Sequence, residues 1–453
     1  MNLKISEIYR VFDKKFKGKD KSISGISIDT RTLKKNNVFF AIKGEKRNGH
    51  RFIKDAIKKG ACLVICESSV RGDNCIKVKD TKKALLLLAK YYLTKFKKIK
   101  KIAITGSNGK TTTKEIIARI LSAKYKVRKS EKSYNNYLGL SLTIFSLKKS
   151  DEVIILEVGM NHKGEIKEMM KGINIDMAII TNIGNAHLGF FKNKKEIASS
   201  KSEIFLSLEK NGIAILNKDD EYYNFIRKKL KNAKVFNFGK NFNADMKFEK
   251  GYYSEKYMDF KVYYKNKIYN IKTQLKGEHN IYNITCAMLT GFIFKVKSNL
   301  MINRIKKFKM KNFLRFEEKF INGIYVINDA YNANIDSFKR AIETLKEMNI
   351  ENLYMVVADM LELGSKTKKM HIKLGKLLTL INLKGLFLFG KYCNYIKEGY
   401  KINRGNLSDN LIVISNSKEQ IGKLLKEKVK KCDCVFLKGS RKNKLEEIEE
   451  YLK

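Results

Sequence analysis

Hydrophobic residues along this chain follow two periods. Short apolar runs at 38–42, 61–66, 102–104, 153–156 and 177–181 sit between polar turns, which predicts buried strands. Apolar positions three and four residues apart at 52–59, 82–96, 281–294 and onward from about 195 and 337 predict helices. Residues 23–29 alternate, and the chain to about 85 reads as a small α/β unit. From 235 to 275 the pattern shortens into β-rich pieces such as 260–264 and 268–271. A charge run at 306–312 marks a boundary, beyond which strands at 324–328, 354–357, 386–389, 411–414 and 434–437 alternate with helices. The fold class is therefore α/β, and the last third is another doubly wound domain.

Chemistry concentrates where strands end. The stretch IAITGSNGKTTTKE, residues 102–115, has the strand, glycine loop and helix order of a phosphate cradle, which predicts that the chain binds a nucleoside triphosphate. Thr105, Gly106, Ser107, Asn108, Gly109, Lys110, Thr111 and Thr112 are its candidate residues. Backbone N–H groups can close around phosphate oxygens at Gly106 and Gly109, Lys110 can reach the terminal phosphates, and the Thr111 hydroxyl can hold Mg²⁺. Ile104 stands where the longer Walker pattern would have Gly, so the loop is the shorter variant. Glu157 ends a buried strand where a Mg²⁺ ligand or water-orienting carboxylate is needed, and His187 follows another strand end that converges on the same crevice. Lys201 lies on a helix in Lys-Ser-Glu, which by residue type alone reads as a solvated helix lysine.

Two loops of the first unit, Asp29-Thr30-Arg31 and the one from Lys43 to His50, are rich in Gly and cationic side chains, so they read either as a pyrophosphate cradle or as solvated turns. Thr30, Arg31, Asn48 and His50 are their substrate-binding candidates, and Asn135 and Asn136 in a polar turn at 134–139 join them.

Composition adds bounds. A chain of 453 residues, 43% hydrophobic, has core enough for two or three domains. No apolar run approaches the ~18 residues of a membrane span and the N-terminus lacks a signal-peptide core, so the expected compartment is the cytoplasm. The seven cysteines form only two close pairs, 62/66 and 432/434, without zinc-spaced partners, and read as reduced thiols. A formal net charge of +48 would suit nucleic acid, yet the lysines run from end to end without a basic element interleaved with aromatics. Pro and Trp are absent while 28 Gly remain, so nucleotide bias does not account for the missing Pro.

Taken together, these motifs resemble the Mur ligases over essentially the whole length. ITGSNGKTTTKE is similar to the family's phosphate loop, ILEVGMNHKGEI to its central acidic strand end, TNIGNAHLGFF to its His motif and IASSKSEIF to its modified-lysine segment. GEHNIYN resembles the motif beside adenine and NDAYNANIDS the nucleotide-contacting loop of the third domain. The resemblance implies a three-domain architecture: a UDP-substrate domain at 1–85, a central P-loop mononucleotide-binding ATPase at 86–311 and a C-terminal Rossmann-like domain at 312–453. It further implies a cytoplasmic monomer that uses ATP and Mg²⁺ to join D-alanyl-D-alanine to UDP-N-acetylmuramoyl-tripeptide through an acyl phosphate.

By this resemblance Lys110, Lys201 and His187 are catalytic, and Thr111, Glu157, His187 and an N-carbamylated Lys201 hold Mg²⁺. Asn280 lies near adenine, while Arg315, Asp329, Tyr331, Asn332 and Asn334 meet the nucleotide. ADMLELG and LKGSR are similar to segments of the member that adds a dipeptide. The sibling that adds the third amino acid would carry Asp-Asn-Pro-Arg, which is absent, and NANIDS and DMLELG argue against a folylpolyglutamate synthase relative. Ser141 and Ile335 stand where the family usually has Pro, and Asn48 where it usually has Asp.

A dispersed charge makes a prediction about the alternative, a basic nucleic-acid-binding ATPase. Duplex DNA should bind weakly and with a steep salt dependence. Sequence-selective, nanomolar binding at physiological salt in a filter or anisotropy titration would overturn that expectation.

Overall fold

In the computed structural model, which describes residues 1–44, 47–68, 74–186, 188–230, 232–254, 256–404 and 411–453, the apolar runs become the strands of three sheets. Strands β1 (Gly25–Ser27), β2 (Asn37–Phe40), β3 (Leu63–Cys66) and β4 (Cys75–Lys77) form a parallel sheet in that order. Helix Thr81–Thr94 follows, started by Asp80, whose carboxylate accepts the N–H groups of Lys82 and Lys83. Its Leu85, Leu88 and Tyr92 enter a core shared with Ile144 and Ile154, so one apolar cluster runs from the first sheet to the second.

The second sheet contains β5 (Lys100–Thr105), β6 (Val127–Lys129), β7 (Val153–Glu157), β8 (Ile175–Ile180), β9 (Leu208–Asn217), β10 (Lys234–Gly239), β11 (Met246–Phe248), β12 (Tyr252–Tyr253), β13 (Met258–Tyr264) and β14 (Lys267–Thr273). Its order is β12-β13-β11-β10-β9-β8-β5-β7-β6, with β14 paired to β13. Strands β5 to β10 are parallel to their neighbours and the β11 to β14 end is antiparallel. Both faces of the parallel part are covered, which is why β7 is buried at every position and reads as a continuous apolar run. Because β5 lies between β7 and β8, with Ile104 beside Glu157 and Thr105 beside Ile180, three strand ends open at one crevice. Helix Lys110–Leu121 leaves that crevice and packs through Ile116, Ile117 and Ile120 into the same core as Ile284 and Met288 of helix Glu278–Ile293.

The third sheet, in the order β15-β16-β20-β17-β18-β19, is built from β15 (Glu317–Ile321), β16 (Ile324–Asn328), β17 (Leu353–Ala358), β18 (Gly385–Phe389), β19 (Ile412–Ser415) and β20 (Cys434–Lys438). Only the β15–β16 pairing among the described residues of this sheet is antiparallel. The α/β class and the three-unit architecture expected from the sequence are thus present. One expectation needs correction, and one strand was not anticipated. The turn at 134–139 contains the start of helix Tyr137–Phe145, because the Asn136 side chain caps it by accepting the Gly139 N–H. Strand β15 was invisible to periodicity because it is an edge strand whose positions alternate only between half-buried and exposed.

Both positions that lack Pro lie at or in helices with local hydrogen bonds. Ile335 opens helix Ile335–Glu347, and a capping box holds that start: the Ser337 N–H donates to Asn334 Oδ1 at 2.9 Å and the Asn334 N–H to Ser337 Oγ at 3.0 Å. Ser141, inside its helix, donates its hydroxyl to the Tyr137 carbonyl at 2.7 Å.

Helices Thr367–Leu378 and Cys393–Arg404 touch backbone to backbone, since a Cβ on Gly375 would stand 2.1 Å from the Ile396 carbonyl oxygen and one on Gly399 would stand 2.0 Å from that of Ile372. Either Gly→Ala change should force the pair apart and cost about 1–3 kcal/mol. Thermal unfolding checks this; an unchanged Tm for both variants would contradict the packing described.

Candidate active site

The glycine loop is shaped by contacts that only glycine permits. Gly106 has φ +151° and a Cβ there would meet Thr181 Oγ1 at 1.9 Å; Gly109 has φ +80° and its Cβ would meet Asn283 Oδ1 at 2.5 Å. Neighbouring strand ends then tie the loop down. The Thr181 hydroxyl donates to the Asn108 carbonyl at 2.6 Å, the Asn108 N–H to Asn182 Oδ1 at 3.0 Å and the Gly184 N–H to Ser107 Oγ at 2.8 Å. Lys110 is folded over the loop, donating to the Gly106 and Ser107 carbonyls at 2.6 and 3.3 Å. Burial pushes its ammonium down to about 8, against the opposing pull of Glu157. Thr105 and Thr112 flank this cradle, both buried.

Glu157 is fully buried at the end of β7. Its Oε1 accepts from the Thr111 hydroxyl at 3.0 Å and from Asn135 Nδ2 at 3.1 Å, and its Oε2 lies 3.3 Å from Lys114 Nζ. Lys114, itself fully buried, donates to the carbonyls of Ser130, at 2.6 Å, and Lys132, and stands 3.3 Å from Glu115. Lys129 lies 2.8 Å from the other side of Glu115. Charge therefore alternates from Lys129 at the rim through Glu115 and Lys114 to Glu157, so that each buried charge has an opposite neighbour.

Lys201 has no such neighbour. It ends helix Lys194–Lys201 on the face that also buries Ile197, Ala198 and Ser200, it is fully buried, and its Nζ makes no hydrogen bond among the described residues. The solvated helix lysine expected from residue type alone is therefore wrong, because the helix turns that face into the core. Burial, reinforced by the nearby Lys110 charge, holds the amine well below its ordinary range, which shifts its balance toward the uncharged form.

The third unit reaches into this crevice. Arg315 donates from Nη2 to Thr111 Oγ1 at 3.2 Å and Ser133 Oγ at 3.3 Å while its guanidinium stacks 4.4 Å from the Tyr331 ring centre. Asp329 accepts the Phe316 N–H and pairs with the buried Lys438, which also donates to the Asn332 carbonyl at 3.4 Å. Asn334 Nδ2 donates to Asn108 Oδ1 at 3.0 Å. Asn280 is buried, with Nδ2 on the Lys276 carbonyl at 2.6 Å and Oδ1 accepting from Asn283 at 3.0 Å. A cavity of about 1010 Å³ between the second and third sheets is lined by Ser107 to Lys110, Glu157 and Asn280 on one side and by Arg315, Asp329, Tyr331 and Asn332 on the other.

Not every candidate joins them. His187 lies outside the described residues, as do Glu45 and Lys46 of the second basic loop. Thr30, Arg31, Asn48 and His50 sit in the first unit, and none lines the cavity. Arg31 pairs with Asp29, Nη2 to Oδ2 at 2.5 Å, and that pairing lowers the Asp29 carboxyl to about 2. Asn48 Oδ1 accepts the His50 N–H at 3.1 Å, and His50 Nε2 accepts the Glu67 N–H at 2.8 Å. Asn135 reaches Glu157, whereas Asn136 serves as a helix cap.

Several residues of the site were not legible from sequence. Asp336 accepts both the N–H and the Nδ2 of Asn185, at 2.6 and 2.7 Å, and so joins the third unit to the loop that carries His187. Lys114 reads as one charge among many on a helix, and only burial distinguishes it.

The residues suit a hard divalent cation. Thr111 Oγ1 and the Glu157 carboxylate converge within 3.0 Å, and among the described residues Glu157 Oε2 accepts no hydrogen bond. Among the described residues no three His, Cys, Asp or Glu side chains cluster as a metal site, so any ion here relies on other donor types as well.

Comparison with known proteins gives matches to the Mur ligase family catalytic domain over residues 22–92, the Mur ligase middle domain over 104–291 and the Mur ligase glutamate ligase domain over 314–441. The UDP-N-acetylmuramoyl-tripeptide–D-alanyl-D-alanine ligase of Bacillus subtilis is 31% identical over 94% of this chain and 92% of its own length. That of Borreliella burgdorferi is 31% identical over 99% of both. Among solved structures, MurF from Acinetobacter baumannii superposes with a TM-score of 0.87 at 26% identity, covering 99% of this chain and 98% of that one. MurF ligase from Thermotoga maritima in complex with ADP gives 0.83 at 28%, covering 94% and 96%.

Lys114→Met removes the ammonium and leaves two carbonyls and Glu157 without their cation, while Glu115 keeps only Lys129. It should lower unfolding stability by about 3–5 kcal/mol in a denaturant titration. A change below 1 kcal/mol would show that the alternating charges are not coupled.

Proposed function

Because this chain belongs to the Mur ligase family, we propose that it joins D-alanyl-D-alanine to UDP-N-acetylmuramoyl-tripeptide as ATP is cleaved to ADP and phosphate. The observation that carries this reading is the whole-length match to relatives of that name, 92% and 99% of whose lengths are spanned. The division at 1–85, 86–311 and 312–453 assigns the UDP end of the substrate to the first unit, ATP to the second and closure to the third. The reaction needs one chain only, and its nucleotide-linked substrate fits a cytoplasmic enzyme; no described helix is long and apolar enough to cross a membrane.

The chemistry follows from a poor electrophile. A carboxylate does not react with an amine, so the terminal carboxylate of the tripeptide first attacks the γ-phosphorus and becomes an acyl phosphate, and ADP leaves. The dipeptide amine then attacks the acyl carbon, phosphate departs with the bonding pair, and one proton is lost. Lys110, released from the Gly106 and Ser107 carbonyls, would hold the terminal phosphates, while the loop's N–H groups cradle them. Arg315 would add a second cation from the third unit, positioned by Tyr331. Asn280 would contact adenine, with Asp329, Tyr331, Asn332 and Asn334 lining the nucleotide's other side.

Thr111, Glu157, His187 and Lys201 would hold Mg²⁺, which when bound neutralises phosphate charge. Lys201 can take part only as an anion, since an ammonium would repel the ions it faces. Its uncharged amine adds to the carbon of CO₂ and loses a proton to solvent, leaving a carbamate with two oxygen donors. In the first unit Thr30, Arg31, Asn48 and His50, with Asn135 and Asn136 from the second, are the residues assigned to the UDP-peptide.

Release of ADP should require tripeptide and dipeptide together, measured by coupled assay with both, either or neither; equal stimulation by DNA or RNA would reject the reading. Lys201→Ala and Lys201→Arg should each lose roughly 10²–10³-fold in kcat, on the scale of losing one charge-stabilising group. A short exogenous carboxylate should partly restore the Ala variant alone. Near-wild-type turnover of Lys201→Arg would rule out the carbamate.

A further inference from the structure

The loop between β8 and helix Lys194–Lys201 carries His187, and on both sides of that position it is held from the third unit. Asp336 takes Asn185 with both carboxylate oxygens: Oδ2 accepts the Asn185 N–H at 2.6 Å and Oδ1 accepts from its Nδ2 at 2.7 Å. Gly184 makes room for this, since a Cβ on it would stand 2.6 Å from Asp336 Oδ2. Farther along, the Glu362 carbonyl accepts the Gly189 N–H at 2.9 Å, and Lys366 Nζ donates to the Lys192 carbonyl at 3.2 Å. A Cβ on Gly189 would lie 2.7 Å from that Glu362 oxygen, so the two segments meet backbone to backbone there.

The second unit fixes the two residues before Asn185. The Ile183 N–H donates to Asp220 Oδ2 at 2.6 Å, and the Gly184 N–H to Ser107 Oγ of the glycine loop at 2.8 Å. At Asn185 and Gly189 the partners come instead from across the crevice. The path of the loop through position 187 is therefore set jointly by two units, and it is complete only when they are together.

One helix terminus supplies two of these holds. Asn334 caps helix Ile335–Glu347 and donates from Nδ2 to Asn108 Oδ1 of the glycine loop at 3.0 Å; Asp336, two residues on, takes Asn185. The start of this helix thus bridges the phosphate cradle and the loop of His187. Its bond to Asn108 is between neutral amides, whereas Asp336 is a charged acceptor with two donors, the stronger class of hydrogen bond, in a helix turn that favours an anion. We propose that Asp336 is a positioning residue for the ligase reaction: by holding Asn185 it sets the loop of His187 against the glycine loop when the third unit closes. Asp336 does not line the cavity, so it acts through Asn185 and not on a substrate. The inference rests on the ligase reading above and on the part that reading gives His187.

The test follows the loop and the reaction separately on the full-length enzyme. In amide hydrogen exchange with ADP bound, Asp336→Ala should speed exchange of the peptide spanning 184–192 by about tenfold to a hundredfold, the scale of hydrogen bonds to one charged group, and leave the peptide spanning 100–121 unchanged. In the ligase assay the same variant should lose kcat by a comparable factor, with the KM values for ATP and dipeptide held within about twofold. Asp336→Asn, which keeps one acceptor oxygen and no charge, should fall between. In a His187→Ala background, Asp336→Ala should cost less than about threefold more, because the loop then has no imidazole to place. Losses that multiply in the double variant, or equal acceleration of exchange throughout the third unit, would overturn the proposal by showing that Asp336 serves only stability or closure. Faster exchange at 184–192 without loss of kcat would overturn it and leave the ligase reading intact. Wild-type enzyme that forms no ligated product would instead reject that reading, and the proposal with it.

Discussion

Desolvation of positive charge around one strand end is the constraint on which this structure depends. Lys114 and Lys201 are fully buried, Lys110 is folded over the glycine loop, and Glu157, which Lys114 faces at 3.3 Å, has no exposure either. An isolated buried ammonium is among the costliest groups a protein can hold. Each lysine meets that cost differently. Lys114 has two carbonyls and two carboxylates, and Lys110 borrows loop carbonyls that phosphate can replace. Lys201 has no hydrogen-bond partner among the described residues and is shifted by burial toward the neutral amine, the one form of lysine that can acquire an acid group from CO₂.

Closure of the third unit over this centre is polar throughout the contacts that matter. Arg315 on Thr111 and Ser133, Asn334 on Asn108, Asp336 on Asn185 and the Glu362 carbonyl on Gly189 are hydrogen bonds between groups that water can also satisfy. Such an interface is individually weak at each point and can open for substrates and close again, unlike the continuous apolar core that joins the first two sheets. Without Pro at 335, the capping box at Asn334 and Ser337 sets the start of the helix that carries Asp336.

Much of this was legible in the sequence, for physical reasons. Buried parallel strands leave uninterrupted apolar runs, so β5, β7 and β8 and the residues at their ends could be read directly. Thr111 and Glu157 were legible as partners because a strand, a loop and a helix of fixed geometry leave little freedom between them. The state of Lys201 was not, since a lysine in a Lys-Ser-Glu helix looks the same whether its face meets solvent or core. Asp336, Ser133 and Glu362 escaped for a related reason. Their roles come from contacts between chain segments more than a hundred residues apart, which no local pattern encodes.

The most direct test of the central claim asks whether the buried amine of Lys201 carries a carboxyl group. The enzyme equilibrated with ¹³C-bicarbonate should show, by ¹³C NMR, one slowly exchanging carbamate resonance that is absent from Lys201→Arg. Its intensity should fall in step with activity when CO₂ is removed. Full ligase activity from wild-type enzyme showing no carbamate resonance would contradict the account.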